Sequence, residues 1–381
     1  MSDRLQWIDT VKVLAIVIVL FVHIMEAFHD NGVTGLMPYI KYFHAFLLFF
    51  FFLTSGFFLK PKADTFWGEV KHRFLVRVVP VFAFGLLLFP VNFVLEHNVN
   101  ILQHGVPTII GLYLVGLPVL DWTTWFLVAL FTAELICYFF PPNKSLWIKL
   151  VAIVALYSLG WWLSEIAAKS LYIITGAWFF REALIVASIM LLGNLLRPLI
   201  FEINKRGYLT VFICFAVCFV VTYLTYDLNQ IVVPDKSHRP EVVDRETVIM
   251  AIGRHGHYFW FYFTGLIGGL MCVFFGMLVP SFKPIPYLGK NTLLLIGLIG
   301  FFFHFVNMPV TKAMGLSDGN LAAFVSVVFA LIQLLLCIPA IWLLDKYFPQ
   351  LFGKPTAAGP LLPPLSKRGS KHSAQPNTEP K

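Results

Sequence analysis

Ten stretches of this chain run almost without charged side chains for roughly the 17–25 residues that a helix needs to cross a bilayer. They lie near 12–29, 39–59, 76–95, 124–141, 147–164, 172–196, 208–225, 257–280, 290–310 and 321–345. The runs are continuously apolar, whereas a membrane barrel alternates lipid-facing and lumen-facing residues. Only 13% of the chain is Asp, Glu, Lys or Arg, about half of what a soluble domain uses to cover itself. The same composition excludes disorder, coiled coil, collagen and disulfide scaffolds. The reading is an all-α fold, a polytopic integral membrane helical bundle of about ten transmembrane helices over residues 1–350. A tail over 351–381, rich in Pro, Ser, Lys and Ala, is expected to be disordered and cytoplasmic. One further apolar stretch, 107–120, is broken by Pro107, Gly111, Gly116 and Pro118 and reads as re-entrant or interfacial.

The basic residues orient this bundle. With the N-terminus inside, twenty of the 28 Lys and Arg residues fall on the inner side and seven on the outer, with Arg181 inside a span. Cytoplasmic segments carry the excess of Lys and Arg, so the expected topology is N-in/C-in. The first run lacks a small-x-small cleavage site and reads as an uncleaved span. Cys137, Cys214, Cys218, Cys272 and Cys337 all lie in apolar runs and read as core thiols. Cys214 and Cys218 are four apart, but two thiols make a poor metal site. Arg254-His255-Gly256-His257 has ligand-like spacing, yet its place at an outer helix end beside aromatic residues suits an interfacial belt. No metal is assigned.

Ionisable groups inside a membrane are functional candidates by default. On the first span, Lys12 is followed by ten apolar residues and then His23. The eleven-residue step turns through about 1100°, within about 20° of three full turns, so the two side chains share a face about 16 Å apart in rise. Asp9, Glu26 and Asp30 fall on the same stripe. The bland alternative makes Lys12 a snorkelling end charge, His23 a hydrogen-bonded core histidine and Glu26 a group solvated at the outer interface. His44, Glu134, Arg181, Glu182 and His304 complete the intramembrane ionisable set. Arg181 and Glu182 are adjacent, so they point about 100° apart and are expected to take separate partners.

Asp9-Thr-Val-Lys12, ten apolar residues and His23 resemble the opening helix of the membrane-bound acyltransferase-3 family, whose members acylate hydroxyls on surface polysaccharides and related glycans. Phe43-His44 through Ser55-Gly56 resembles the family's aromatic run closing on Ser-Gly. Arg73-Phe-Leu-Val-Arg77-Val-Val-Pro80 resembles its basic segment, and Trp125-Phe126-Leu127 its Trp-Phe-Leu motif. Leu288-Gly289-Lys290-Asn291-Thr292 resembles the Gly-Lys-Asn-Ser/Thr start of its penultimate span. The family often has a histidine about seven residues further on; Leu298 and Ile299 occupy that place here, with His304 beyond it.

The resemblance implies O-acyl transfer from acyl-coenzyme A, most simply acetyl-coenzyme A, to a glycan or lipid-linked sugar. It implies a bacterial inner or plasma membrane protein in contact with lipid, with no bound cofactor and no nucleic acid. Such a transfer needs a base near neutrality, which suits His23, with Glu26 as its i+3 orienting neighbour and Lys12 drawing the anionic donor. Asp9, His44, Ser55, Arg73, Arg77, Trp125 and Asn291 are the corresponding substrate- and donor-binding candidates. Lys60 and Lys62 need no role beyond inner-side topology. Two outer loops suit the acceptor: 96–123, with His97 and His104, and 226–256. The alternative reading is an exporter or carrier of a polysaccharide precursor. The lack of an evident internal repeat weighs against it.

Overall fold

The computed structural model describes residues 6–95, 101–141, 144–169, 176–231, 246–280 and 282–366. His97, Lys236, Arg239, Arg245 and the chain beyond residue 366 lie outside the described residues, as does the side chain of His104. Among the described residues there is no β-strand, only one isolated bridge between Ile249 and Arg254.

Among the described residues, nine of the ten apolar runs form helices long enough to span: α1 (Gln6–Asp30), α2 (Met37–Gly56), α3 (Phe66–Val94), α5 (Leu146–Ala167), α6 (Ala177–Lys205), α7 (Tyr208–Leu228), α8 (Tyr258–Leu278), α9 (Thr292–Met314) and α10 (Gly319–Tyr347). The run at 124–141 forms a shorter apolar helix, α4 (Trp122–Tyr138). The chain is thus an all-α polytopic membrane bundle. The broken stretch before α4 forms a short helix, Gly105–Leu114. Leu86, Val94, Trp147, Phe324 and Leu335 are each more than 60% exposed. Apolar side chains that face outward in this way need lipid around them rather than water.

The most central helix is the one with the polar stripe. About 61% of the apolar window of α1 is buried, against 22% for α5 and for α7. Small residues bring its neighbours close. A Cβ on Gly56 would stand 2.1 Å from the Met190 carbonyl oxygen, and one on Gly193 2.2 Å from that of Leu53, so α2 and α6 touch backbone to backbone. Helices in lipid associate largely through such contacts.

Three interruptions of regular helix shape the polar interior. α2 breaks at Ala45–Phe46, where Phe46 leaves helical geometry at φ −135°. α3 contains a π turn over Phe74–Val78, and α9 one over Phe302–Val306. Such single π turns occur often at functional sites.

The boundary placed at residue 351 falls inside packed structure. The Phe352 ring lies 4.9 Å from that of Phe84, and Lys354 Nζ donates to Asn291 Oδ1 (3.2 Å) and contacts Asp345. Gln350 is fully buried. Described residues 350–354 therefore pack against α3 and the start of α9.

Candidate active site

Two cavities lie along the polar face of α1. The first, about 290 Å³, is lined by Ile16, Val19, His23 and Glu26 from that helix. The second, about 330 Å³, receives Lys12. Residues 12, 16, 19, 23 and 26 follow the three-and-four spacing of one helical face, so the stripe visible in the sequence is the face that borders both cavities.

In the first cavity three titratable side chains form a chain. His23 Nδ1 lies 2.7 Å from Glu26 Oε2, and His44 Nε2 lies 3.3 Å from Glu26 Oε1. His44 Nδ1 is 2.8 Å from the carbonyl oxygen of Val248. A carbonyl only accepts, so His44 Nδ1 carries a proton and donates it. A carboxylate also accepts, so the His23–Glu26 contact is a donation from Nδ1, which in a neutral ring leaves the lone pair on Nε2. The His44–Glu26 contact is favourable only with a proton between the two groups, since a bare imidazole nitrogen and a carboxylate repel. Glu26 is 5% exposed, which removes the reading of an interfacially solvated group. Trp122, Thr123, Trp125 and Phe303 supply further wall, and the backbone segment Val248–Ile252 covers it. The His23 ring packs 4.7 Å from that of Phe303.

The break in α2 explains His44. An unbroken helix would carry the chain past residue 44 in its own register. The irregular turn at Ala45–Phe46 instead leaves His44 at the end of one helical segment, beside Glu26 and under the 246–257 segment.

The second cavity is basic. Lys12, Lys62, Arg73 and Arg77 line it with Glu134, Ser55 and Thr292. Arg73 Nε donates to Glu69 Oε1 (2.6 Å), its Nη1 to Glu134 Oε1 (2.9 Å) and its Nη2 to the Lys60 carbonyl (3.1 Å). Arg77 grips the same Glu134 through Nη2 (2.8 Å) and Nε (3.2 Å). Residues four apart share a helical face, so Arg73 and Arg77 both turn toward the same carboxylate. Arg73 is buried with all three nitrogens engaged, while Arg77 keeps 23% side-chain exposure toward the cavity. Lys62, for which topology alone is a sufficient reason in sequence, also reaches this wall.

The remaining sequence candidates divide. Ser55 lines the basic cavity and donates to the Phe51 carbonyl (2.9 Å). His44 and Trp125 stand in the histidine cavity instead, away from Lys12. Asp9 and Asn291 line neither. Asp9 is buried so closely against Gly289 that a Cβ there would sit 2.6 Å from its own. Asn291 donates to the Tyr287 carbonyl (3.1 Å) and accepts from Lys354. His304, on the π turn of α9, is buried with Nε2 3.7 Å from Asp121 Oδ1, behind Thr123 and off both cavity walls.

Arg181 and Glu182 face one another at 3.3 Å. The reach of the guanidinium closes the 100° between their Cβ directions, contrary to the expectation of wholly separate partners. His255 is not part of an interfacial belt: it is 2% exposed, with its ring 5.0 Å from Phe261. Burial, with Arg181 nearby, lowers its pKa to about 3. It is therefore neutral at working pH. His257 instead caps α8 by accepting from Trp260 N at 3.5 Å. Among the described residues no group of three or more His, Cys, Asp or Glu is placed to hold a metal.

The family profile described as an acyltransferase domain matches residues 5–342 of the chain, including every element that lines the two cavities. No curated protein and no solved structure gives a match.

Proposed function

The chain belongs to the acyltransferase-3 family and is a multi-pass membrane acyltransferase; from its two cavities we propose an O-acyltransferase that uses acyl-coenzyme A, most simply acetyl-coenzyme A. The acceptor is a hydroxyl of a surface glycan or lipid-linked sugar. The observation that carries this reading is the His23–Glu26 pair in one cavity, backed by the basic cavity at Lys12 (2.7 Å between His23 Nδ1 and Glu26 Oε2).

The donor's phosphates meet Lys12, Lys62 and Arg77 at the basic cavity, and its pantetheine arm points toward Ser55. The orientation that places these groups in the cytoplasm, where acyl-coenzyme A is made, is N-in/C-in in a bacterial inner membrane. Arg73 serves through Glu134, by holding Arg77 in place. The acceptor enters beneath Val248–Ile252 with Trp122 and Trp125 as its apolar wall. His23 Nε2 takes the hydroxyl proton and Glu26 stabilises the resulting imidazolium, the role a carboxylate plays behind a catalytic histidine. The hydroxyl oxygen bonds to the thioester carbonyl carbon and the carbon–sulfur bond breaks. The thiolate leaves with the proton returned from His23.

Purified protein in nanodiscs tests the donor half of this proposal. Acetyl-coenzyme A is expected to bind, and Lys12→Ala to raise its KM about tenfold, equivalent to about 1.4 kcal/mol, with kcat nearly kept. Absence of donor binding would support the carrier reading. An unchanged KM would leave Lys12 a topology charge.

His44 belongs to the other half. His44→Ala is expected to lower kcat about tenfold, the low end of what loss of an acid–base contact costs, without moving the KM for acetyl-coenzyme A. A KM effect would instead place His44 with the donor.

A further inference from the structure

Among the described residues the two cavities share three lining residues: Phe51 from α2, Phe126 from α4 and Ile296 from α9. None is polar. The Phe51 and Phe126 rings meet edge to face at 5.4 Å between centroids, and Phe126 stacks on Phe52 at 4.8 Å. Phe126 is buried by these neighbours, whereas Phe51 and Ile296 are half-buried and face the cavities. Among the described residues, one side of this ring carries Lys12, Lys62, Arg73 and Arg77 with Glu134, and the titratable side chains on the other are His23, Glu26 and His44.

Two physical demands act on such a ring. A bundle with a polar cavity at each end would conduct water and ions if the cavities merged, and an apolar constriction prevents that by staying dry. Yet under the proposed function the acyl carbon must come within bonding distance of an oxygen activated by His23. The donor's charged end is held with Lys12 and Arg77, so the thioester end has to reach the ring and the acyl group has to pass or fill it.

We propose that Phe51, Phe126 and Ile296 form a size filter that selects the acyl group, admitting a short chain to His23 and stopping longer ones at the basic cavity. This inference rests on the acyl-coenzyme A reading. The filter sets acyl length through steric fit alone, because no hydrogen-bonding side chain is present in it. The reaction itself is unchanged: the acyl carbon exchanges its bond to sulfur for one to the acceptor oxygen, and the hydroxyl proton travels through His23 to the departing thiolate. A second consequence concerns water. With the ring sealed by an acyl group in transit, water from the basic side is kept from the thioester, so transfer outcompetes hydrolysis.

The test uses isolated membranes containing the full-length protein, given an equimolar mixture of acetyl-, butyryl- and hexanoyl-coenzyme A. Ester-linked acyl groups on the membrane glycans are read by mass spectrometry. Wild type is expected to transfer mainly acetyl. Ile296→Ala and the milder Phe51→Leu open the ring without disturbing the Phe52–Phe126 stack. Each is expected to raise the butyryl-to-acetyl ratio about tenfold or more, the scale on which a hydrophobic pocket discriminates by one or two methylenes. Ile296→Phe narrows the ring and is expected to lower acetyl transfer while acetyl-coenzyme A binding persists. An unchanged ratio in both opened variants, with acetyl transfer intact, would overturn the filter and leave the enzyme reading standing. A wild type that binds acyl-coenzyme A but transfers from none of the three would overturn the enzyme reading, and the filter with it.

Discussion

Replacing His23 by alanine is expected to reduce acyl transfer by about 10²–10⁴-fold, the range that a positioned general base contributes, while leaving the protein folded and able to bind acyl-coenzyme A. The separation is possible because of where the side chain stands. His23 keeps 25% side-chain exposure and faces a cavity, so its loss removes little packing. The proposed donor site begins across the apolar ring, in the cavity that Lys12 lines. A purely structural histidine would behave differently: its removal would lower thermal stability and act on activity only through the amount of folded protein. Parallel measurement of turnover, donor binding and unfolding in nanodiscs distinguishes the two. Retained turnover in well-folded His23→Ala would remove the proposed base.

The largest effect on stability is expected at Glu134. Its carboxylate accepts from both Arg73 and Arg77, and it is 5% exposed. Removing one member of a buried ion cluster costs about 3–5 kcal/mol because charge is left without compensation in a low-dielectric site. Arg73 would keep Glu69, but Arg77 would lose the carboxylate it grips through two nitrogens. Glu134→Ala is therefore expected to destabilise by about 3–5 kcal/mol, and Glu134→Gln by less, since the amide oxygen still accepts one guanidinium bond. Combining Glu134→Ala with Arg77→Met should recover part of the loss, because no guanidinium at position 77 is then left without its carboxylate. Urea or thermal unfolding of the four proteins in a common detergent reads this directly. Equal stability of Glu134→Ala and wild type would mean that the cavity solvates the two arginines by itself.

How much of the fold and the site is legible in sequence depends on whether an interaction is local. The stripe through Lys12, His23 and Glu26 is readable because helical periodicity alone places those residues on one face, and the bundle turns that face inward. The acyltransferase-3 motifs are readable for the same reason, as short strings in order. Contacts between distant segments are not. The partners of Glu134 lie 57 and 61 residues away, and nothing in the local pattern links them. His44 and Ser55 share one motif in sequence as substrate- and donor-binding candidates, yet the break at Ala45–Phe46 accompanies their placement in different cavities. The wall of Val248–Ile252 comes from a segment whose sequence resembles an ordinary loop, and its backbone carbonyl at Val248 is what engages His44. The π turns in α3 and α9 also leave no composition signal. Lys354 falls in a stretch whose composition reads as a disordered tail; its bond to Asn291 depends on a chain reversal after α10 that composition does not reveal.

Under the proposed function this bundle esterifies a glycan hydroxyl. The most direct test is mass spectrometry of envelope glycans from cells that contain the protein and from otherwise identical cells that lack it. The account predicts ester-linked acyl groups, released by mild base, that are present with the protein and absent without it. Identical acylation in the two samples would contradict it.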